Sequence, residues 1–350
     1  MTERVVVGIS GGVDSAVTAA LLLAAGFEVR GVTLQLWQAP QIESENVLDG
    51  VRALAEALHI PLRVLDLRER FYQRVVARFA DDYAHGLTPN PCVTCNPTLK
   101  FDALLAAAAE AEAEWIATGH YARVEHTSTG TARLLRARSR QRDQSYMLYR
   151  LTPRHLTRLR CPLGELENKS QVREIARRLG LPDAEQRDSQ DLCFLGGADY
   201  RPLLQTLRPE SFQPGPILNE AGEVLGEHYG LPRYTIGQRS GLGIATHQRL
   251  YVLALHPVEN ALIVGPAERL LRTSCQLTGL TFTQGAAPAP RFTAEVQIRY
   301  QSPPVPAAIE LQTDTQATVT FAKPQRAPAP GQSVVCYHGA VVLGGGFISG

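Results

Sequence analysis

The apolar positions in the first half of the chain alternate between short runs and helical stripes. Arg4–Ile9 is a compact β-branched run, followed by a Gly/Ser loop and a helical pattern from Ser15 to Ala25 that Gly26 stops. Val29–Leu36 reads as strand, Val47–Leu58 as helix and Leu62–Leu67 as strand; Arg68–His85 is an amphipathic helix ending at Gly86. After a Pro-rich loop come an Ala-rich helix over Thr98–Ala113 and a short strand over Glu114–Thr118, and Ser170–Leu179 is a helix ended by Gly180 and Pro182. This βαβα order predicts an α/β domain built on a doubly wound parallel sheet with helices on both faces.

The pattern changes after about Gly196, where Pro and Gly rise and short strands dominate. Leu218–Val224 reads as a hairpin, and Tyr251–Leu255 with Ala261–Val264 as a second, joined by HPVEN. Gln276–Phe282, Phe292–Tyr300, Ala308–Phe321 and Ser333–Leu343 are strand-like, with Pro-rich connections at GAAPAPR and AKPQRAPAPG. The expected organisation is a first domain over 1–197, a small central domain over 198–270 and a C-terminal β-barrel over 271–350.

Composition narrows the class. The 350 residues are 44% apolar and 20% charged, with a formal charge of +1, which excludes a disordered chain and a globally basic nucleic-acid binder. The total is nevertheless a cancellation. Arg133–Arg178 holds thirteen Lys/Arg and four Asp/Glu, a net of +9, against −8 elsewhere, so an RNA backbone is expected along that segment. MTERVVVGIS reads as a strand and not a signal peptide, and no stretch suits a bilayer, so a cytoplasmic protein with no membrane partner is expected. Six cysteines are too sparse for a disulfide framework. Cys336 and Cys275 fit core positions, and Cys161 is ambiguous.

The strongest local motif is Gly8-Ile9-Ser10-Gly11-Gly12-Val13-Asp14-Ser15, between the first strand and the first helix. Glycines allow a tight turn that aims backbone N–H groups at one point, and the helix N-terminus adds its dipole. Ser10 and Ser15 supply hydroxyls, and Asp14 can hold Mg²⁺ against phosphate oxygens. A Walker lysine and a dinucleotide-fingerprint spacing are both missing. SGGVDS resembles the pyrophosphate loop (PP-loop) of the ATP-pyrophosphatase superfamily, whose members adenylate an oxygen and release pyrophosphate. The loop alone does not choose between amide-forming synthetases and tRNA-modifying enzymes, though no glutaminase signature is visible.

Further motifs make the choice. LTPNPCVTCN (87–96), LKF (99–101), ATGHYAR (117–123), RDQSYM (142–147), DSQDLCF (188–194), YTIGQR (234–239) and PGQ (330–332) resemble, in this order and over nearly the whole chain, bacterial tRNA-specific 2-thiouridylases. The resemblance implies an adenine nucleotide alpha hydrolase-like first domain. It also implies ATP-dependent 2-thiolation of the wobble uridine of tRNAs for Lys, Glu and Gln, a tRNA-uridine 2-sulfurtransferase activity. It implies that Cys95 is the nucleophile and that Cys193 carries a persulfide loaded by a cysteine desulfurase or relay protein. Sulfur-for-oxygen exchange chemically requires an activated oxygen leaving group and a sulfur nucleophile, which ATP and a persulfide supply. Both cysteines lie among polar and turn residues, which predicts exposed, activated thiols.

Where many of those enzymes carry Asp, this chain has Cys92, which creates Cys92-Val-Thr-Cys95. A second reading follows, in which Cys92, Cys95 and Cys193 hold three irons of a [4Fe–4S] cluster. The resemblance also implies that Leu34 and Gly119 meet ATP with residues 8–15, and that His120, Asp143, Gln144, Ser145, Arg299, Tyr300 and Gln332 meet tRNA. Read alone, Leu34 is a core strand residue and His120 a strand-end residue, while Arg299 could pair with phosphate and Tyr300 stack on a base. Lys100 and Phe101 are expected to support the thiol loop. A non-catalytic nucleotide- or RNA-binding protein is the alternative from a different class, disfavoured by the intact SGGVDS and both cysteines.

Overall fold

The computed structural model describes residues 2–39, 45–181, 192–246 and 248–349. β1 (Arg4–Gly8), β2 (Glu28–Gln35), β3 (Leu62–Asp66) and β4 (Trp115–Ala117) are followed by a hairpin of β5 (Ala122–His126) and β6 (Ala132–Arg136), then by β7 (Leu159–Arg160). β3-β2-β1-β4-β7 form a wholly parallel sheet. Alternation along β1 sends its side chains to opposite faces. Val5 and Val7 pack with the helix Val13–Ala24 and the helix Lys169–Arg178, whereas Val6 packs with Phe101 and Leu104. The sheet is therefore covered on both sides, as the βαβα pattern predicts.

Two helices carry one wide turn each. The 68–84 helix contains a π-turn over Tyr72–Val76. The other helix starts at Pro91, runs through Pro91–Cys95, widens into a π-turn over Asn96–Phe101 and ends with Asp102–Glu110. The pattern predicted its start at Thr98, so both cysteines of the 92–95 pair are helical rather than in a loop.

The central module is a four-stranded sheet ordered β10-β11-β8-β9, from β8 (Pro214–Leu218), β9 (Val224–Tyr229), β10 (Tyr251–His256) and β11 (Ala261–Gly265). Both expected hairpins are there, and β8 and β11 join them in parallel. The C-terminal strands are β12 (Leu271–Phe282), β13 (Arg291–Gln297), β14 (Val305–Thr313), β15 (Gln316–Arg326), β16 (Ser333–His338) and β17 (Val341–Ile348). β12 pairs with both β15 and β17, which closes a six-stranded barrel. Ala308–Phe321 and Ser333–Leu343, each expected as one strand, are hairpins that turn at 314–315 and 339–340, where single small or polar residues punctuate weakly. AKPQR of the expected Pro-rich connection lies in β15.

The β5–β6 hairpin, which the sequence pattern did not reveal, leaves the parallel sheet and adds to the barrel: Val341 of β17 pairs with Leu135, and the Arg136 amide donates to Ala340 O at 2.8 Å. One buried cluster consequently contains Val6, Val32 and Ile116 of the parallel sheet together with Val335, Tyr337 and Val342 of the barrel. Among the described residues no helix is long and apolar enough to cross a membrane.

Candidate functional site

The 8–15 loop leaves β1 at the carboxyl edge of the sheet, where open α/β sheets present ligand contacts. Gly11 takes φ +85°, and a Cβ on Gly119 would come 3.0 Å from Asp14 C and Ser15 N, so the end of β4 lies directly against the loop. The Ser10 amide donates to Ser15 Oγ at 3.2 Å, the two hydroxyl oxygens lie 3.3 Å apart, and Ser15 Oγ donates to Gly12 O at 2.9 Å. Leu34, half-buried, stands near the end of β2 at the same sheet edge, paired with Leu65.

Asp14 Oδ1 accepts from the Tyr121 hydroxyl and from Lys169 Nζ, both at 2.6 Å. Lys169 is 8% exposed. It brings to the loop the cation that a Walker motif would have carried, from 155 residues downstream. Sequence reasoning missed it. The signal was available: Lys169 opens a helix capped by Asn168, and a cation in the first turn opposes the helix dipole unless something else holds it there.

The thiol helix starts on a side-chain cap, since Asn90 Oδ1 accepts from the Cys92 amide at 3.2 Å. Cys92 is half-buried, Cys95 is 3% exposed and Cys193 is exposed. Burial pushes the Cys95 thiol up to about 12 against the pull of Lys100, and it raises the Cys92 thiol in the same way. The expectation of exposed, activated thiols is thus corrected for Cys95, because the helix turns it into the cluster of Phe71, Phe79 and Phe194. Burial works to lower the Lys100 ammonium, but the sulfurs of Cys95, Cys193 and Cys92 outweigh it and leave it raised. Burial and Lys100 push His120 down to about 3. The neutral His120 ring bonds Thr118 Oγ1 at 2.9 Å and lies 5.7 Å from the Phe101 ring.

Four residues, Thr118–Tyr121, therefore touch both parts: Gly119 and Tyr121 meet the loop, and His120 meets the thiol side. Of the DSQDLCF motif, Asp188, Ser189, Gln190 and Asp191 lie outside the described residues.

The residues expected to meet tRNA fall into two environments. Asp143 and Ser145 are buried. Asp143 accepts from the Ala137 and Ser145 amides at 3.0 and 3.1 Å, from Ser145 Oγ at 3.0 Å and from Arg136 Nη1 at 3.3 Å. Gln144 Oε1 accepts from the Tyr121 amide at 3.0 Å. Arg299 and Tyr300 are half-buried; Arg299 donates to Arg326 O at 3.2 Å and also to Ala327 O, and Tyr300 lies 5.9 Å from the Tyr146 ring. Gln332 Nε2 donates to Thr88 O at 2.7 Å. Two motifs far apart in sequence, 87–96 and 330–332, are thereby in contact.

Cys92, Cys95 and Cys193 stand near enough to influence one another's ionisation, but among the described residues no three His, Cys, Asp or Glu side chains converge to hold a metal ion. The loop does fit a nucleotide: a Cβ at Gly119 would crowd the loop backbone at 3.0 Å, and the loop's donor set of hydroxyls, backbone amides and a buried ammonium suits phosphates.

Three family models match the chain: a tRNA methyl transferase HUP domain over residues 3–197, a tRNA methyl transferase PRC-barrel domain over 203–266 and an aminomethyltransferase beta-barrel domain over 272–348. A tRNA-specific 2-thiouridylase of Roseiflexus castenholzii is 44% identical over 99% of this chain and 99% of its own. One of Chloroflexus aurantiacus is 45% identical over 99% and 98%. Among solved structures, a 4-thiouridine synthetase in complex with RNA and ATP is 20% identical over 59% of this chain and 51% of that one, at a TM-score of 0.36.

Proposed function

The chain belongs to the tRNA-specific 2-thiouridylase family, and we propose that it makes 2-thiouridine at the wobble position of tRNAs for Lys, Glu and Gln, using ATP and a cysteine persulfide. The observation that carries this reading is the Thr118–Tyr121 segment, which joins the phosphate loop to the thiol helix. Oxygen activation and sulfur delivery need to meet at one base, and this segment has a residue facing each.

In the proposed mechanism, residues 8–15, with Leu34 and Gly119, hold ATP, Lys169 supports its phosphates and Asp14 would hold Mg²⁺. Uridine O2 attacks the α-phosphorus and pyrophosphate leaves. The terminal sulfur of a Cys193 persulfide attacks C2, and AMP leaves with the oxygen. The Cys95 thiolate then attacks Cys193 Sγ. The sulfur stays on the base, a Cys95–Cys193 disulfide forms, and an external thiol reduces it for the next round. The exposure of Cys193 suits loading by a donor protein, a cysteine desulfurase or a relay protein. The burial of Cys95 suits a thiol that reacts last, once tRNA has displaced its surroundings.

On this reading 1–197 is the catalytic domain, 198–270 the central domain and 271–350 the tRNA-binding barrel, in a cytoplasmic enzyme. His120, Arg299 and Tyr300 would border tRNA, with Asp143, Gln144, Ser145 and Gln332 shaping the ground beneath it. The test is nucleoside mass spectrometry of tRNA after reaction with ATP and a sulfur donor. Cys95→Ser and Cys193→Ser should each yield no 2-thiouridine while remaining folded by circular dichroism. Normal thiolation by either variant would sink the assigned roles.

A further inference from the structure

Gln332 was expected to face RNA, yet its carboxamide is committed inside the protein. Its Nε2 donates to Thr88 O at 2.7 Å, and the Thr88 amide donates back to Pro330 O at 2.8 Å. Between those bonds Gly331 takes φ +87°, and a Cβ there would stand 3.0 Å from Leu87 Cβ and from Thr88 N. The barrel turn 330–332, just before β16, is thus locked onto the 87–90 stretch.

That stretch leads straight into the thiol helix. Asn90 caps it through the Cys92 amide and reaches Met147 Sδ at 3.3 Å, while Asn96 Nδ2 donates to Met147 O at 3.0 Å. Beside the clamp lies a cavity of about 250 Å³, lined by Arg78, Leu87, Pro91, Thr94, Gly331 and Phe347. Side chains do not fill the space between the thiol helix and the barrel there. Pro91 and Val93 are buried, so packing sets the helix on its core side, while on the side facing the barrel the hydrogen bonds to the turn hold it across the unfilled space.

We propose that Gln332 is a positioning residue: through Thr88 and the Asn90 cap, the barrel fixes where Cys92 and Cys95 stand. The inference rests on the thiolation reading for its consequence in turnover, but not for its structural content. A barrel that senses tRNA and a thiol helix that reacts with it would then be joined through the two hydrogen bonds between 330–332 and Thr88.

Three variants of the full chain test this. Gln332→Glu keeps the size, removes the donor and sets a carboxylate against Thr88 O. Gln332→Met removes it without charge. Gln332→Lys keeps an N–H donor and serves as the rescue. Three quantities are measured: 2-thiouridine formation against tRNA concentration, tRNA affinity, and the iodoacetamide alkylation rates of Cys92 and Cys95 without tRNA at fixed pH. For Glu and Met, loss of one hydrogen bond predicts a kcat lower by about tenfold, alkylation faster by about tenfold and a tRNA Kd within about twofold of the parent. Lys should stay near the parent in alkylation. A weakened Kd with unchanged alkylation would assign Gln332 to RNA contact and overturn the proposal, as would unchanged kcat and alkylation in both. Faster alkylation in the Glu and Met variants, with a parent chain that makes no 2-thiouridine, would uphold the clamp and refute the thiolation reading.

Discussion

Asp14 Oδ1 receives a hydroxyl and a buried ammonium at 2.6 Å each, so the carboxylate and the cation hold one another in place beside the phosphate loop. Charge-assisted bonds of this kind are worth roughly twice neutral ones. Lys169→Met should raise the KM for ATP by about tenfold or more, in line with a lost charged hydrogen bond of about 1.5–3 kcal/mol; an unchanged KM would remove Lys169 from the nucleotide site. The Cys95 thiol offers a pH test. Its folded value of about 12 lies above its ordinary value of 9.0, so the protonated form is the one that folding favours, and any stability it contributes is complete below that ordinary value and lost as pH rises from there toward 12. Cys95 alkylation should therefore climb steadily from pH 8 to 10, by about tenfold per unit, with no plateau near 9. Residues 8–15 were legible because the loop's chemistry is local. Lys169 was not, because its meaning depends on where a distant helix begins.

At the scale of elements, the thiol helix shows where pattern reading stops. Pro97 lacks the N–H of an interior helical turn, and on sequence grounds it ends a helix. The chain instead widens into a π-turn over Asn96–Phe101 and continues, which carries Cys95 and Lys100 to a common neighbourhood. Pro97→Ala should tighten this turn toward regular α-helix. We expect it to raise Tm by about 2 °C and to lower thiolation, the exchange of stability for activity common at functional bulges. A stabler variant with full activity would show that the wide turn has no part in turnover. The strands of the parallel sheet were readable because each is a continuous apolar run. The β5–β6 hairpin was not, because its alternation is short and its partner, β17, lies two hundred residues away.

For the whole molecule, the buried cluster shared by the parallel sheet and the barrel means that neither packs fully alone. Arg136 lies 3.4 Å from the Tyr337 ring centre and bonds both Asp143 and Gln297, and the Tyr146 hydroxyl donates to Ser333 O at 2.8 Å. A chain truncated after Leu270 should lose the cooperative thermal transition and become protease-sensitive within residues 122–150; a truncated chain that melts like the parent would contradict the shared core. The net +9 of Arg133–Arg178 also reads differently in three dimensions. Arg136, Arg138 and Arg158 are bonded to protein groups, and Arg140 and Arg178 are exposed. A small number of surface cations predicts that log Kd for tRNA changes with log salt at a slope of roughly 2–4, and a flat dependence would place the RNA elsewhere.

The strand that β17 lends to the β5–β6 hairpin has a consequence for the order of synthesis. A growing polypeptide can complete the parallel sheet early, but Tyr146, Tyr149 and the hairpin stay uncovered until residues beyond 330 have left the ribosome. A message broken near its end would thus produce a protein with its phosphate loop encoded but its core open, a clear mark for cellular proteases. The barrel serves, in that sense, as a seal that closes only on a fully translated enzyme.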